Sequence, residues 1–90
     1  MKVENKLIKL GFNPRYKGFI MLVECIEYLK RTKNYSAKML AEIYVYVSGK
    51  NNISIPCVER RIRTLRENCT NGKYKNMVNS EMIKILAVTI

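Results

Sequence analysis

The chain has 90 residues, 48% of them hydrophobic, and its 17 lysines and arginines outweigh seven acidic residues to leave a formal net charge of +10. That length suits one compact domain, expected to run 1–90, and is too short for two. With no histidine, no aspartate and three widely spaced cysteines (Cys25, Cys57, Cys69), the composition argues against a zinc finger, a carboxylate-held metal and hydrolysis with a histidine base, so no enzyme, metal or cofactor is expected.

The first ten residues, Met1 to Leu10, place Val3, Leu7 and Leu10 at helical spacing. They lack the uninterrupted apolar core of a secretory signal, and charges break every later apolar stretch before it could span a bilayer. The expected location is therefore the cytoplasm, with free thiols rather than disulfides. Gly11 follows where a left-handed helix cap would sit. Asn13 and Pro14 then read as a cap followed by a first helical residue. From there Phe19, Leu22, Val23, Ile26 and Leu29 repeat at intervals of three and four, the apolar face of a long helix that the polar run Lys30 to Asn34 ends.

Ser36 is placed to cap a third helix carrying Met39, Leu40 and Ile43. The next residues, Glu42 to Val47, alternate β-branched and aromatic side chains and read as a strand on propensity, so helix and strand both stay open there. The run Ser48 to Ser54 reads as a turn. Ile55 precedes a proline and is biased away from helix, so the following helix is predicted to run from about Pro56 to Cys69. Val58, Ile62, Leu65 and Cys69 form one narrow apolar stripe on it. Pro56, Arg60, Arg63, Thr64 and Glu67 lie opposite, with Glu59 and Arg66 flanking. A short helix that docks by one stripe and carries arginines outward after a polar turn has the form of a major-groove reader. An ordinary solvated charged face shows the same pattern. After the basic turn Asn71 to Asn76, Asn79 and Ser80 read as caps of a last helix from Glu81 to about Val88, which brings Met82, Ile83, Leu86 and Ala87 to the core.

Four stretches give the chain a family resemblance. Leu10 to Phe19 (L-G-F-N-P-R-Y-K-G-F) resembles the opening L-G-x-x-P-x-x-K-G-Y of the C-terminal effector domain in the stage zero sporulation protein A family, response regulators that initiate sporulation. Tyr44 to Ser48 stands where that family has Y-P-D-I-A. Val58 to Arg63 (V-E-R-R-I-R) is similar to its V-E-R-A-I-R, and Asn79 to Ile83 (N-S-E-M-I) to its N-S-E-F-I. The resemblance covers nearly all of the chain after Leu7. It implies an all-α bundle built around a helix-turn-helix, and transcriptional control through boxes related to TGTCGAA. It also implies that Tyr44 to Asn51 is the first helix of the motif, with Glu59, Arg60 and Arg63 facing DNA. Cys57 stands where the family has a base-reading arginine, and Val45 where it has a proline between two helices. The segment from Arg66 to Asn79 is shorter than in the family and is expected to lack a helix. A receiver domain and its phosphorylation switch are not expected in this chain.

The expectation that follows is an all-α helix-turn-helix bundle that binds duplex DNA in a sequence-specific way. The contact residues expected are Lys50, Ser54, Pro56, Cys57, Glu59, Arg60, Arg63 and Thr64, and a second copy is a further expected partner on tandem sites. No membrane or small-molecule substrate is expected. The alternative is a protein-interaction module of the same fold that binds or antagonises a partner regulator; the shortened C-terminal half and Cys57 speak for it.

Overall fold

The computed structural model describes residues 2–90, and all its regular structure among them is helical. Five α-helices follow in order: α1 (Val3–Lys9), α2 (Gly18–Thr32), α3 (Ala37–Asn51), α4 (Ile55–Glu67) and α5 (Asn79–Thr89), with a short 3₁₀ turn at Gly72–Tyr74 between the last two. The all-α expectation holds, and no helix among the described residues is long and apolar enough to cross a membrane.

The second helix is the axis of the bundle, because α1, α3, α4 and α5 all pack against it. Its predicted stripe of Phe19, Leu22, Val23, Ile26 and Leu29 is buried, but so are Met21, Glu24 and Cys25. A helix with neighbours on several sides buries more than one stripe. The helix begins at Gly18, not near Pro14, which corrects the expected start. Asn13 instead organises a turn: its side-chain oxygen accepts the Arg15 N–H at 2.9 Å and its carbonyl accepts that of Tyr16 at 3.2 Å. A Cβ on Gly18 would stand 2.2 Å from the Arg61 carbonyl oxygen, so this glycine lets the start of α2 touch the backbone of α4.

Gly11 takes the left-handed conformation expected after α1, at φ +102°. It also abuts the loop after α4: the Thr70 N–H donates to the Gly11 carbonyl at 3.1 Å. Behind this contact Phe12 packs on Tyr74 with ring centroids 5.3 Å apart, and both are buried. Neither aromatic stood out in the sequence, because each sits in a turn with no periodic neighbours.

Two further boundaries differ from expectation. The third helix runs unbroken from Ala37 to Asn51, so Glu42 to Val47 is helix, and Ser48 to Asn51 is its last turn rather than part of a loop. Ile43 and Val47, one turn apart, are buried and settle the ambiguity in favour of helix. Valine in place of proline at 45 leaves every backbone donor in place, so no break occurs. The connection shrinks to Asn52, Ile53 and Ser54. Asn52 caps α3 in the left-handed region at φ 54°, while the Ile53 N–H donates to the Ser48 carbonyl at 3.1 Å and the Ser48 hydroxyl donates to the Ile53 carbonyl. At the other end, α4 stops at Glu67, two residues short of Cys69, which lies buried past the helix end. The segment from there to α5 contains the 3₁₀ turn and no α-helix, as the resemblance implied.

Candidate nucleic-acid interface

Ser54 opens α4 as its cap: the side-chain oxygen accepts the Cys57 N–H at 3.2 Å. Pro56 falls in the first turn, where a missing N–H costs nothing. From this start the periodicity of the sequence puts Val58, Ile62 and Leu65 inward, all at 0% exposure. Pro56, Glu59, Arg60, Arg63 and Thr64 are exposed, and Cys57 and Arg61 are half-buried beside them. Within the exposed row a terminal nitrogen of Arg60 approaches the Cys57 sulfur at 3.8 Å.

The inner side of α4 is held by polar contacts as well as apolar ones. Arg66, expected on the flank of the charged face, is buried at 7% exposure. Its Nε donates to the Asn79 side-chain oxygen at 3.0 Å and a terminal nitrogen donates to the Lys75 carbonyl at 2.5 Å. Asn79 does not cap α5, whose cap position is Val78. Its amide instead donates to the Glu59 carbonyl at 2.8 Å. One asparagine thus links the first residues of α5 to two points on α4. Together with the backbone approach at Gly18, these contacts hold the helix from Glu59 to Arg66.

Arg60, Arg61 and Arg63 have no carboxylate within ion-pair distance among the described residues. Their charge is therefore not neutralised within the protein. Next to them, Arg60, Arg61 and Thr64 form one wall of an open cleft of about 240 Å³ whose other wall is Tyr16, Lys17 and Gly18. Lys17 and Arg61 were not among the expected contact residues. The signal was the K-G pair before α2, but nothing local says that this pair faces α4.

Lys50 is placed differently from the rest. It sits in the last turn of α3, with its ammonium 3.4 Å from a carboxylate oxygen of Glu24 on α2. Its contact with Glu24 raises its pKa. The structure thus brings Pro56, Cys57, Glu59, Arg60, Arg63 and Thr64 onto one face, with Ser54 at its start. Lys50, its side chain 53% exposed, is paired with the buried Glu24.

A family model described as "Sporulation initiation factor Spo0A C terminal" matches residues 3–85. No curated protein and no solved structure matches the chain.

Proposed function

The chain belongs to the Spo0A C-terminal family, a family of DNA-binding effector domains rather than enzymes, and on that premise we propose that residues 1–90 act as one helix-turn-helix domain that reads duplex DNA with α4. In this reading α3, the turn Asn52–Ser54 and α4 form the motif, and the exposed face of α4 enters the major groove. Arg60 and Arg63 donate to guanine edges or to phosphates, Glu59 accepts from cytosine, and Thr64 and Cys57 line the sides. Lys17 and Arg61, on opposite walls of the cleft, bind backbone phosphate. Ser54 and Pro56 set where the helix starts against the groove.

One observation carries the reading: the free guanidinium groups of Arg60 and Arg63 project from a helix whose opposite side is locked in the core. Base readout needs long donors on a rigid support, and a merely solvated face has no use for the rigidity.

The test starts with selection of bound sequences from a random duplex pool, followed by competition binding on the selected site. Arg60→Ala and Arg63→Ala should each weaken binding by about 1–3 kcal/mol and relax the preference at one base pair. Lys9→Ala, on α1, should cost little. Equal losses for all three would reduce the attraction to diffuse charge and defeat the reading. Cys57→Arg, which restores the family's residue, should add a preference for guanine at one position. Failure to enrich any sequence would favour the protein-interaction alternative. A second copy on tandem sites is part of the proposal, and sedimentation on one-box and two-box duplexes measures it.

A further inference from the structure

Glu24 lies in the middle of the central helix at 8% exposure, between core residues Val23 and Cys25. A carboxylate in such a place is costly unless it is both paired and hydrogen-bonded. Both compensations come from the end of α3. The Asn51 amide donates to one Glu24 oxygen at 2.8 Å, and the ammonium of Lys50, whose side chain is 53% exposed, stands 3.4 Å from the other. The same amide also donates to the Val47 carbonyl at 2.8 Å, which closes the last turn of α3 on itself. The Lys50 ammonium lies 5.8 Å from the centre of the Tyr46 ring. Two consecutive residues immediately before the turn into α4 are therefore tied to one buried anion on α2.

We propose that Glu24 is the positioning residue of the interface: it fixes the last turn of α3, from which α4 departs, and it withholds the charge of Lys50 from DNA. The proposal rests on the DNA-binding reading above and takes Lys50 out of the contacts expected from the sequence. The physical reason is a competition between two anions. A phosphate on the duplex surface is solvated and screened by mobile cations. The Glu24 carboxylate is mostly shut off from water, and the loss of Lys50 would leave it one amide as partner. The ammonium stays with the anion that has no other cation near it.

The experiment measures affinity for one duplex across a salt series. Each neutralised phosphate contributes a slope of about −0.9 in log K against log salt. Lys17→Gln, at the proposed phosphate cleft, should make the slope shallower by about that amount. Lys50→Gln should leave it unchanged. Glu24→Gln keeps an acceptor for Asn51 but abolishes the anion, so Lys50 is released and the slope should steepen by about 0.9. Adding Lys50→Gln to Glu24→Gln should remove that increment. A shallower slope for Lys50→Gln alone overturns the proposal, as does a folded Glu24→Gln protein with the native slope. If Glu24→Gln does not fold, the Lys50→Gln slope decides. Failure of the DNA-binding reading looks different, since native protein would then show no saturable binding to duplex.

Discussion

Arg66 shows how far the role of an arginine depends on its position along a helix. Three residues after Arg63, on the same element, it points into the protein and serves carbonyl and amide oxygens from the chain around α5. Its fork geometry suits this task, because one planar group reaches two acceptors that diverge in direction. Replacement by methionine keeps much of the bulk but takes the donor from the Asn79 side-chain oxygen and the Lys75 carbonyl. We expect Arg66→Met to lower stability by about 1.5–3 kcal/mol in urea unfolding, the range for hydrogen bonds to a charged donor. A solvated surface arginine would cost within about 0.5 kcal/mol. A result that small would mean that the Arg66 network contributes nothing. DNA affinity should fall as well, with no change in salt slope, because Arg66 orients α4 without touching phosphate.

At the scale of elements, the decisive contact is the crossing of α2 and α4 at Gly18. Gly18 is the first residue of α2, where alanine gains less over glycine than the roughly 1 kcal/mol of a helix interior, but propensity alone still favours Gly18→Ala. The structure predicts the opposite. The new methyl would stand 2.2 Å from the Arg61 carbonyl oxygen and 2.6 Å from its carbon, both backbone atoms that cannot swing aside. The two helices must separate or rotate, at a cost of about 1–3 kcal/mol. Because Arg61 and Arg60 lie at that crossing, the displacement should also weaken DNA binding more than the loss of stability explains. Urea unfolding and binding of the same Gly18→Ala protein measure both effects. A stabilised variant with native affinity would show that the crossing is looser than the structure has it.

For the whole molecule, burial makes the fold sensitive to alkali. Desolvation, with a smaller contribution from Glu24, pushes the Cys25 thiol up from 9.0 to about 12. Burial likewise raises the pKa of Tyr44, Cys69 and Tyr74. Each of these groups is neutral when protonated, and the unfolded chain releases its protons at lower pH than the native fold does. Their contribution to stability is therefore fully present below about pH 9 and is lost as pH rises through the folded values. For a fully buried group such as Cys25 the loss runs at roughly 1.4 kcal/mol per pH unit. The thermal midpoint should fall between pH 9 and 11, and Cys25→Ala should make that fall shallower. A midpoint independent of pH over this range would mean that Cys25 is open to solvent.

Much of this architecture was legible in the residue order. Apolar spacing marked α2, α4 and α5, Ser36 and Pro56 marked two helix starts, and the arginine-rich side of α4 followed from the same period, because a helical period states which residues share a side. Local pattern could not say what lies across from each side. The strand-like run Glu42 to Val47 became helix because Ile43 and Val47 found a core to fill. Pro14 stands in a turn ahead of α2, whose first residue, Gly18, meets the Arg61 backbone. Asn79, read as a cap, and Arg66, read as surface charge, are partners 13 residues apart, and Asn51 meets Glu24 across 27. A buried polar group must find its partner wherever the chain brings one, and that depends on how the helices cross. The sequence by itself thus determined most of the helices and the arginine-rich side of α4, while the tertiary structure alone decided the middle of α3, the start of α2 and which polar residues hold α4 in position.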